Sequence, residues 1–159
     1  MKFEYAIRPP VIDDAPALAH LLHGLGYFDR LQDVPIEETT ASVSAALAKI
    51  NASDDHTLYV AIGADGRLLG YTAVHWIPDL FLPGPEGYLS ELFVVEAARG
   101  QGIGGALLDA VTVEAQRRGG SRLQLINFRH RESYRRGFYA KHGWEERPTA
   151  AIFTLFLDE

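Results

Sequence analysis

The stretch Leu92-Phe93-Val94-Val95-Glu96-Ala97-Ala98-Arg99-Gly100-Gln101-Gly102-Ile103-Gly104-Gly105 carries the clearest chemical signal in the chain. A strand-like apolar run passes through a glycine-rich turn directly into a segment with helical periodicity. Such a turn aims several main-chain N–H groups, together with the positive end of a helix dipole, at one point. A phosphate suits that point. Glycine is needed because a Cβ would hold phosphate oxygens away from the backbone, and because such amide arrays use positive φ. Arg99 adds a permanent cation at the rim. Two familiar phosphate turns fail here. A Walker loop is excluded because no Gly-Lys-Ser or Gly-Lys-Thr follows the glycines. The dinucleotide fingerprint is met in letters by Gly100, Gly102 and Gly105, but it wants an acidic residue about 20 residues on, at the end of the next strand. That strand ends near Asn127, and too little chain remains for the further β-α units.

The elements that must hold this turn can be read from the pattern. Tyr5 to Arg8 is strand-like and stops at Pro9-Pro10, which removes ladder donors. After Asp13 and Asp14, Leu18, Leu21, Leu22 and Leu25 form a helical stripe that closes at Gly24 or Gly26. A second helix follows from Pro35, with Glu37 and Glu38 in its first turn, to about Ile50. Leu58 to Ile62 and Leu68 to Trp76 read as strands joined by Ala64-Asp65-Gly66-Arg67, which carries the Asp-Gly hairpin signal. Residues 78 to 87 contain three prolines and two glycines and read as a loop. Leu89 to Val95 is a strand. Ile103, Leu107, Val111 and Ala115 fall on one face of a helix over Gly102 to Arg118, stopped by Gly119-Gly120. A strand at Leu123 to Asn127, a helix over Glu132 to His142 and a last strand over Ala151 to Leu157 complete the order β-α-α-β-β-β-α-β-α-β. This predicts an α/β (α+β) domain over residues 1–159, a mixed sheet of about six to seven strands flanked by four helices.

Bulk properties narrow the function. The 159 residues are 47% hydrophobic and 23% charged, an ordinary globular balance for one domain. With no Cys, thiolate metal sites and cysteine nucleophiles are ruled out. The histidines, His20 and His23 included, show no ligand spacing with carboxylates, so no metal is expected. A net charge of -6 disfavours nucleic acid, which needs clustered cations. No apolar run nears the roughly 20 residues of a membrane span, and the start lacks a signal-peptide profile, so the expectation is a cytoplasmic protein without a membrane partner.

Arg99-Gly100-Gln101-Gly102-Ile103-Gly104 matches Arg/Gln-x-x-Gly-x-Gly/Ala, and the chain thereby resembles the GNAT-type N-acetyltransferase superfamily. The element order, the strand Leu92-Phe93-Val94 and the run Phe138-Tyr139-Ala140-Lys141-His142-Gly143-Trp144 extend the resemblance from about Tyr5 to Leu157. It implies an acetyl-CoA site without metal, built largely of backbone. The diphosphate would lie on the amides of Gly100, Gln101, Gly102, Ile103, Gly104 and Gly105, and the pantetheine arm would pair with the main chain of Leu92, Phe93 and Val94. The acceptor would be a primary amine on a small molecule or peptide. A homodimer is an unsurprising assembly for such a fold.

The resemblance also implies roles. An alkylamine of pKa about 10.4 is protonated at neutral pH, so a base or water path must take its proton, and Glu91 is the first candidate. Tyr139 stands where the family often has the acid that meets the coenzyme sulfur. The Val94 N–H is placed as oxyanion donor by position. Each role has a plainer reading: Glu91 as a water-facing strand residue, Tyr139 as a core aromatic with a satisfied hydroxyl. Glu132 departs from the family pattern, which has Asn there. Arg129, His130, Arg131, Arg135 and Arg136 form a basic cluster, read as a solvated helix face or as a patch for the coenzyme's 3′-phosphate or an acidic substrate. His75, Trp76 and Phe81 are acceptor-pocket or packing residues. From another class, a non-catalytic acyl-CoA-binding or sensing module uses the same fold.

Overall fold

Tyr5–Arg8 (β1) ends at Pro9 and lies antiparallel to His56–Gly63 (β2), with Tyr5 opposite Gly63 and Arg8 opposite Val60. The structure is a computed structural model and describes residues 4–157. Gly66 takes φ 81° in the Asp-Gly turn and Gly63 donates to the Arg67 carbonyl at 2.9 Å, so β2 folds back on Leu68–Ile77 (β3) as the turn chemistry predicts. β3 pairs antiparallel with Glu86–Val94 (β4), and β4 pairs parallel with Arg122–Leu125 (β5). The sheet is mixed, in the order β1-β2-β3-β4-β5.

Both faces of this sheet are covered. On one, Ala15–Leu25 (α1) terminates at Gly26, whose φ is 65°; after the short Asp29–Gln32 (α2), the helix Ile36–Asn51 (α3) starts behind Pro35. Leu18, Leu21 and Leu47 pack there on Leu58, Val60, Tyr71 and Ala73. A bond between His23 Nε2 and Thr39 Oγ1 at 2.8 Å ties α1 to α3. On the other face, Ile103–Arg117 (α4) makes the crossover that a parallel pair requires, and it buries Ile103 and Leu107 against Ala61 and Leu69. Each such aliphatic side chain contributes about 1.5–3 kcal/mol on burial.

The chain forms two compact units, one ending at Ile126 and one beginning at Asn127. The second contains Glu132–Arg135 (α5) and Phe138–Lys141 (α6). The single helix expected over Glu132 to His142 is thus two, because Gly137 adopts φ 65° and ends the first. The expected strand over Ala151 to Leu157 does not form among the described residues. No neighbour takes up its ladder groups, and Phe153, Leu155, Phe156 and Leu157 are 80% or more exposed. The sheet therefore has five strands rather than six to seven.

Candidate active site

The central feature is a fork between β4 and β5. Their parallel pairing runs from Glu86 opposite Arg122 to Leu89 opposite Leu125 and goes no further, although β4 continues to Val94. The crotch is tight: a Cβ on Gly87 would come within 2.5 Å of Leu123 Cδ2 and 2.7 Å of the Trp76 ring. Glu86 binds there to Arg122 and to Gln124 Nε2. Beyond Leu89 one edge of β4 faces no strand of this unit. The direction of its groups follows from alternation along a strand. Val95 N–H reaches Leu69 O on β3 at 2.8 Å and Glu91 O faces Thr72 on β3, so the N–H and C=O groups of Leu92 and Val94 point to the open side.

The open edge leads into the glycine turn. A short 3-10 turn, Glu96–Ala98, precedes Gly100 and Gly102, whose φ values are 74° and 83°. A Cβ would meet nothing within 4 Å of Gly100 and only the Tyr5 hydroxyl, at 4.0 Å, from Gly102. Glycine is required at both for conformation rather than for space. Ala106 is the first α4 residue shown to donate into the helix, to Gly102 O at 3.0 Å, so the amides from Gly102 to Gly105 belong to the donor-rich first turn. Gly105 is buried and Gly104 half-buried, whereas Gln101 is exposed. Arg99 is turned to the strand: its Nε donates to Val94 O at 3.1 Å, and its Nη2 lies 3.5 Å from the Tyr27 hydroxyl. Beside it, a cavity of about 700 Å³ lies under α1, walled by Leu21, Leu25, Tyr27, Val95, Glu96 and Arg99.

Glu91 sits on the α1 face, opposite Ala73, next to an irregularity in the β3–β4 register. The Thr72 hydroxyl donates to its carbonyl at 2.9 Å. Surrounding protein raises the pKa of its carboxyl, and the Tyr71 hydroxyl lowers it in part. The residue is nonetheless solvent-exposed, as a group on the wall of an open cleft can be. Tyr71 itself is 3% exposed, and its phenol is pushed up by burial and by the Glu91 charge. Phe93 is ringed by Tyr71, Phe28 and Tyr27 at centroid distances of 5.8, 5.7 and 6.3 Å.

His75 shares this face. It binds Ser90 Oγ at 2.9 Å and meets the His56 ring at 4.3 Å; burial, then the His56 charge, lowers its pKa. Trp76 is a packing residue, 7% exposed, with Nε1 donating to Thr57 Oγ1 at 2.8 Å and Arg118 over its ring at 4.9 Å. Phe81 is 73% exposed. Among the described residues no group of three or more His, Cys, Asp or Glu is placed to hold a metal ion. Nor is any helix there long and apolar enough to cross a membrane.

In the second unit, Tyr139 lies at the start of α6, 5.0 Å from the Phe138 ring and 6.0 Å from that of Trp144. Burial pushes its phenol up to about 12, so it stays protonated across the neutral range. Glu132 opens α5, and Asn127 accepts from Ser133 Oγ at 3.0 Å. Members of the basic cluster have local partners: Arg129 pairs with Glu146 at 2.8 Å, and Arg136 lies over Phe138 at 5.3 Å. The sequence points to Glu91 but not to its neighbours Tyr71 and Thr72, because β3 and β4 are joined by the loop between Ile77 and Glu86, whose composition sets no register.

A family model described as "Acetyltransferase (GNAT) family" matches residues 26–144. An acetyltransferase of Agrobacterium fabrum is 34% identical over 108 residues, 64% of this chain and 72% of that protein. Among solved structures, a transcriptional regulator from Bacillus halodurans aligns at a TM-score of 0.83 and 22% identity, over 97% of this chain and 100% of that one. Glucosamine-6-phosphate N-acetyltransferase from Arabidopsis thaliana aligns at 0.78 and 19%, over 98% and 99%. At these identities the two structures speak to the fold.

Proposed function

Because this chain belongs to the GNAT acetyltransferase family, we propose that it transfers an acetyl group from acetyl-CoA to a primary amine of a small molecule or peptide by direct attack. Residues 1–159 serve as a single such domain, acting in the cytoplasm without nucleic acid, membrane or metal. The supporting observation is the fork: the N–H and C=O groups of Leu92 and the N–H of Val94 line the open edge, the Val94 carbonyl being taken by Arg99, and that edge leads to the amides of Gly100 to Gly105. A pantetheine arm pairs along the first, as an added strand would, and its diphosphate rests on the second.

The amine nitrogen attacks the thioester carbonyl carbon, the C–S bond breaks, and coenzyme A leaves as thiolate. Glu91 takes the amine proton, directly or through water, and its raised pKa suits a base working near neutral pH. Val94 N–H points to the open side and donates to the oxyanion. Tyr139, matched to the family pattern by the run Phe138 to Trp144, protonates the thiolate. The test is thiol release from acetyl-CoA against polyamines, aminoglycosides, amino acids and peptides. Acceptor-dependent release is expected. Coenzyme binding with no turnover on any acceptor would support the second reading, a non-catalytic acyl-CoA-binding or sensing module on the same fold. No binding at all would reject both.

A further inference from the structure

We propose that Tyr71 is a positioning residue for Glu91, holding the carboxyl as a proton acceptor while Thr72 fixes the main chain beneath it. This rests on the reading of Glu91 as base. The register places Tyr71 opposite Phe93 and Ala73 opposite Glu91, so Tyr71 and Glu91 are diagonal neighbours on one face of an antiparallel pair. Such neighbours have Cβ atoms about 7–8 Å apart, a span that a tyrosine side chain bridges. Both hydroxyls come from consecutive residues of β3 and leave the strand on opposite faces: Thr72 is fully buried and its hydroxyl donates to the Glu91 carbonyl at 2.9 Å, while Tyr71 shares the face of the Glu91 side chain and its hydroxyl favours the charged carboxylate. The irregular register between Ala73 and Val74 explains the need, because a residue beside such a bulge loses part of the ladder that would otherwise fix it. Tyr71 is itself immobile, 3% exposed and packed on the Phe93 ring at 5.8 Å. A fixed phenol donor selects the carboxyl rotamer that accepts from it and leaves the second carboxylate oxygen for the substrate amine or a water.

Other titratable groups share this face: His75 on β3, His56 on β2, Tyr88 on β4, and His20 and His23 on the covering helix α1. Of the named groups, only Tyr71 acts on the Glu91 carboxyl. The Tyr71 hydroxyl favours the charged carboxylate, so its removal moves the Glu91 titration to higher pH and the acid limb of kcat/KM with it.

The experiment is a 13C-carboxyl NMR titration of the free protein, with the Glu91 signal identified by its loss in Glu91→Gln. In Tyr71→Phe the Glu91 titration is expected to move upward while other carboxyls stay put; an unmoved or lowered titration overturns the proposal. The Tyr71 Cζ resonance gives the reciprocal reading in Glu91→Gln, a change at an exposed side chain: at neutral pH it should shift as the charged partner is lost, and an unmoved resonance again overturns the contact. Wild-type turnover by Glu91→Gln on an acceptor found by thiol release would overturn Glu91 as base, and with it the catalytic meaning of the hold. Loss of turnover in Glu91→Gln together with an unshifted pH profile in Tyr71→Phe would sink the Tyr71 inference alone.

Discussion

Replacing Gly102 by Ala isolates the conformational demand of the glycine turn from its spatial demand. The residue sits at φ 83°, and an added Cβ would have its nearest neighbour, the Tyr5 hydroxyl, at 4.0 Å. No collision contributes, so the penalty is that of left-handed backbone for an L-residue, about 1–2 kcal/mol. That energy must appear somewhere. If the free protein keeps the turn, unfolding stability falls, by about 2–4 °C in Tm per kcal/mol for a chain of this size. If the free turn relaxes to negative φ, coenzyme must force it back, and Kd for coenzyme A rises by a factor of roughly 5–30. Calorimetric titration and thermal unfolding of the same preparation measure both parts, which should sum to the stated penalty. Gly102→Asn should recover most of it, since asparagine tolerates this region. Wild-type Kd together with wild-type Tm for Gly102→Ala would refute the assignment of the turn.

Tyr139→Phe should lower kcat by about 10²–10⁴ with little change in coenzyme affinity, read by steady-state kinetics and calorimetry. With its phenol at about 12, Tyr139 contributes no basic limb to kcat below pH 10. Glu114 is held down to about 2, first by its hydrogen bond from Arg117 and also by Arg118, which in turn reaches Asp54 and the Trp76 ring. A depressed folded value means the contribution is complete above the unfolded value of about 4.3 and is lost as pH falls toward 2. Glu114→Gln should cost about 1 kcal/mol at pH 7, the measure of a charge pair that solvent still screens, and should flatten the acid loss of Tm in that window. Gly70→Ala places a Cβ 2.6 Å from the Phe93 carbonyl oxygen, and strand displacement there should cost about 1–3 kcal/mol by chemical denaturation.

Local chemistry made most elements legible. Gly26, Gly66 and Gly119 mark ends and turns by a backbone conformation that other residues resist, and Leu18, Leu21 and Leu47 declare their buried faces by spacing. The fork was legible only through the family resemblance, which implies that strands four and five splay apart to admit the acyl end of the coenzyme; residues 90–94 by themselves have the composition of a paired strand and do not say where the partner stops. The last strand failed for the same reason: alternating apolar residues at 151–157 are compatible with a ladder, but only a neighbour creates one. Gly137 is visible in the sequence, but an isolated glycine in a helical pattern is often tolerated and does not by itself announce a break. Within the site, Gly100 and Gly102 could be found from the motif. The hold of Tyr71 and Thr72 on Glu91 depends on a register spanning 19 to 20 residues, which the strand compositions do not specify, and the bond from Arg99 to the Val94 carbonyl depends on the short turn Glu96–Ala98 between them.

The loop before β4 is clasped most firmly at its β4 end. Gly84 N–H donates to Ser121 Oγ at 2.9 Å, that hydroxyl returns a bond to the Gly84 carbonyl at 3.0 Å, and Ser121 N–H reaches Pro85 O at 2.9 Å. A side chain on Gly84 would run into the Gly119 carbonyl. Upstream, Leu80 stands in solvent and Phe81 is exposed on one side, with Arg122 over its ring at 5.8 Å. The clasp therefore divides the segment into a hinge pin that tolerates no alteration and a free bight that can be lengthened, shortened or exchanged. Grafting between Asp79 and Pro83 would recast what approaches the sheet from that end without transmitting strain to the start of β4.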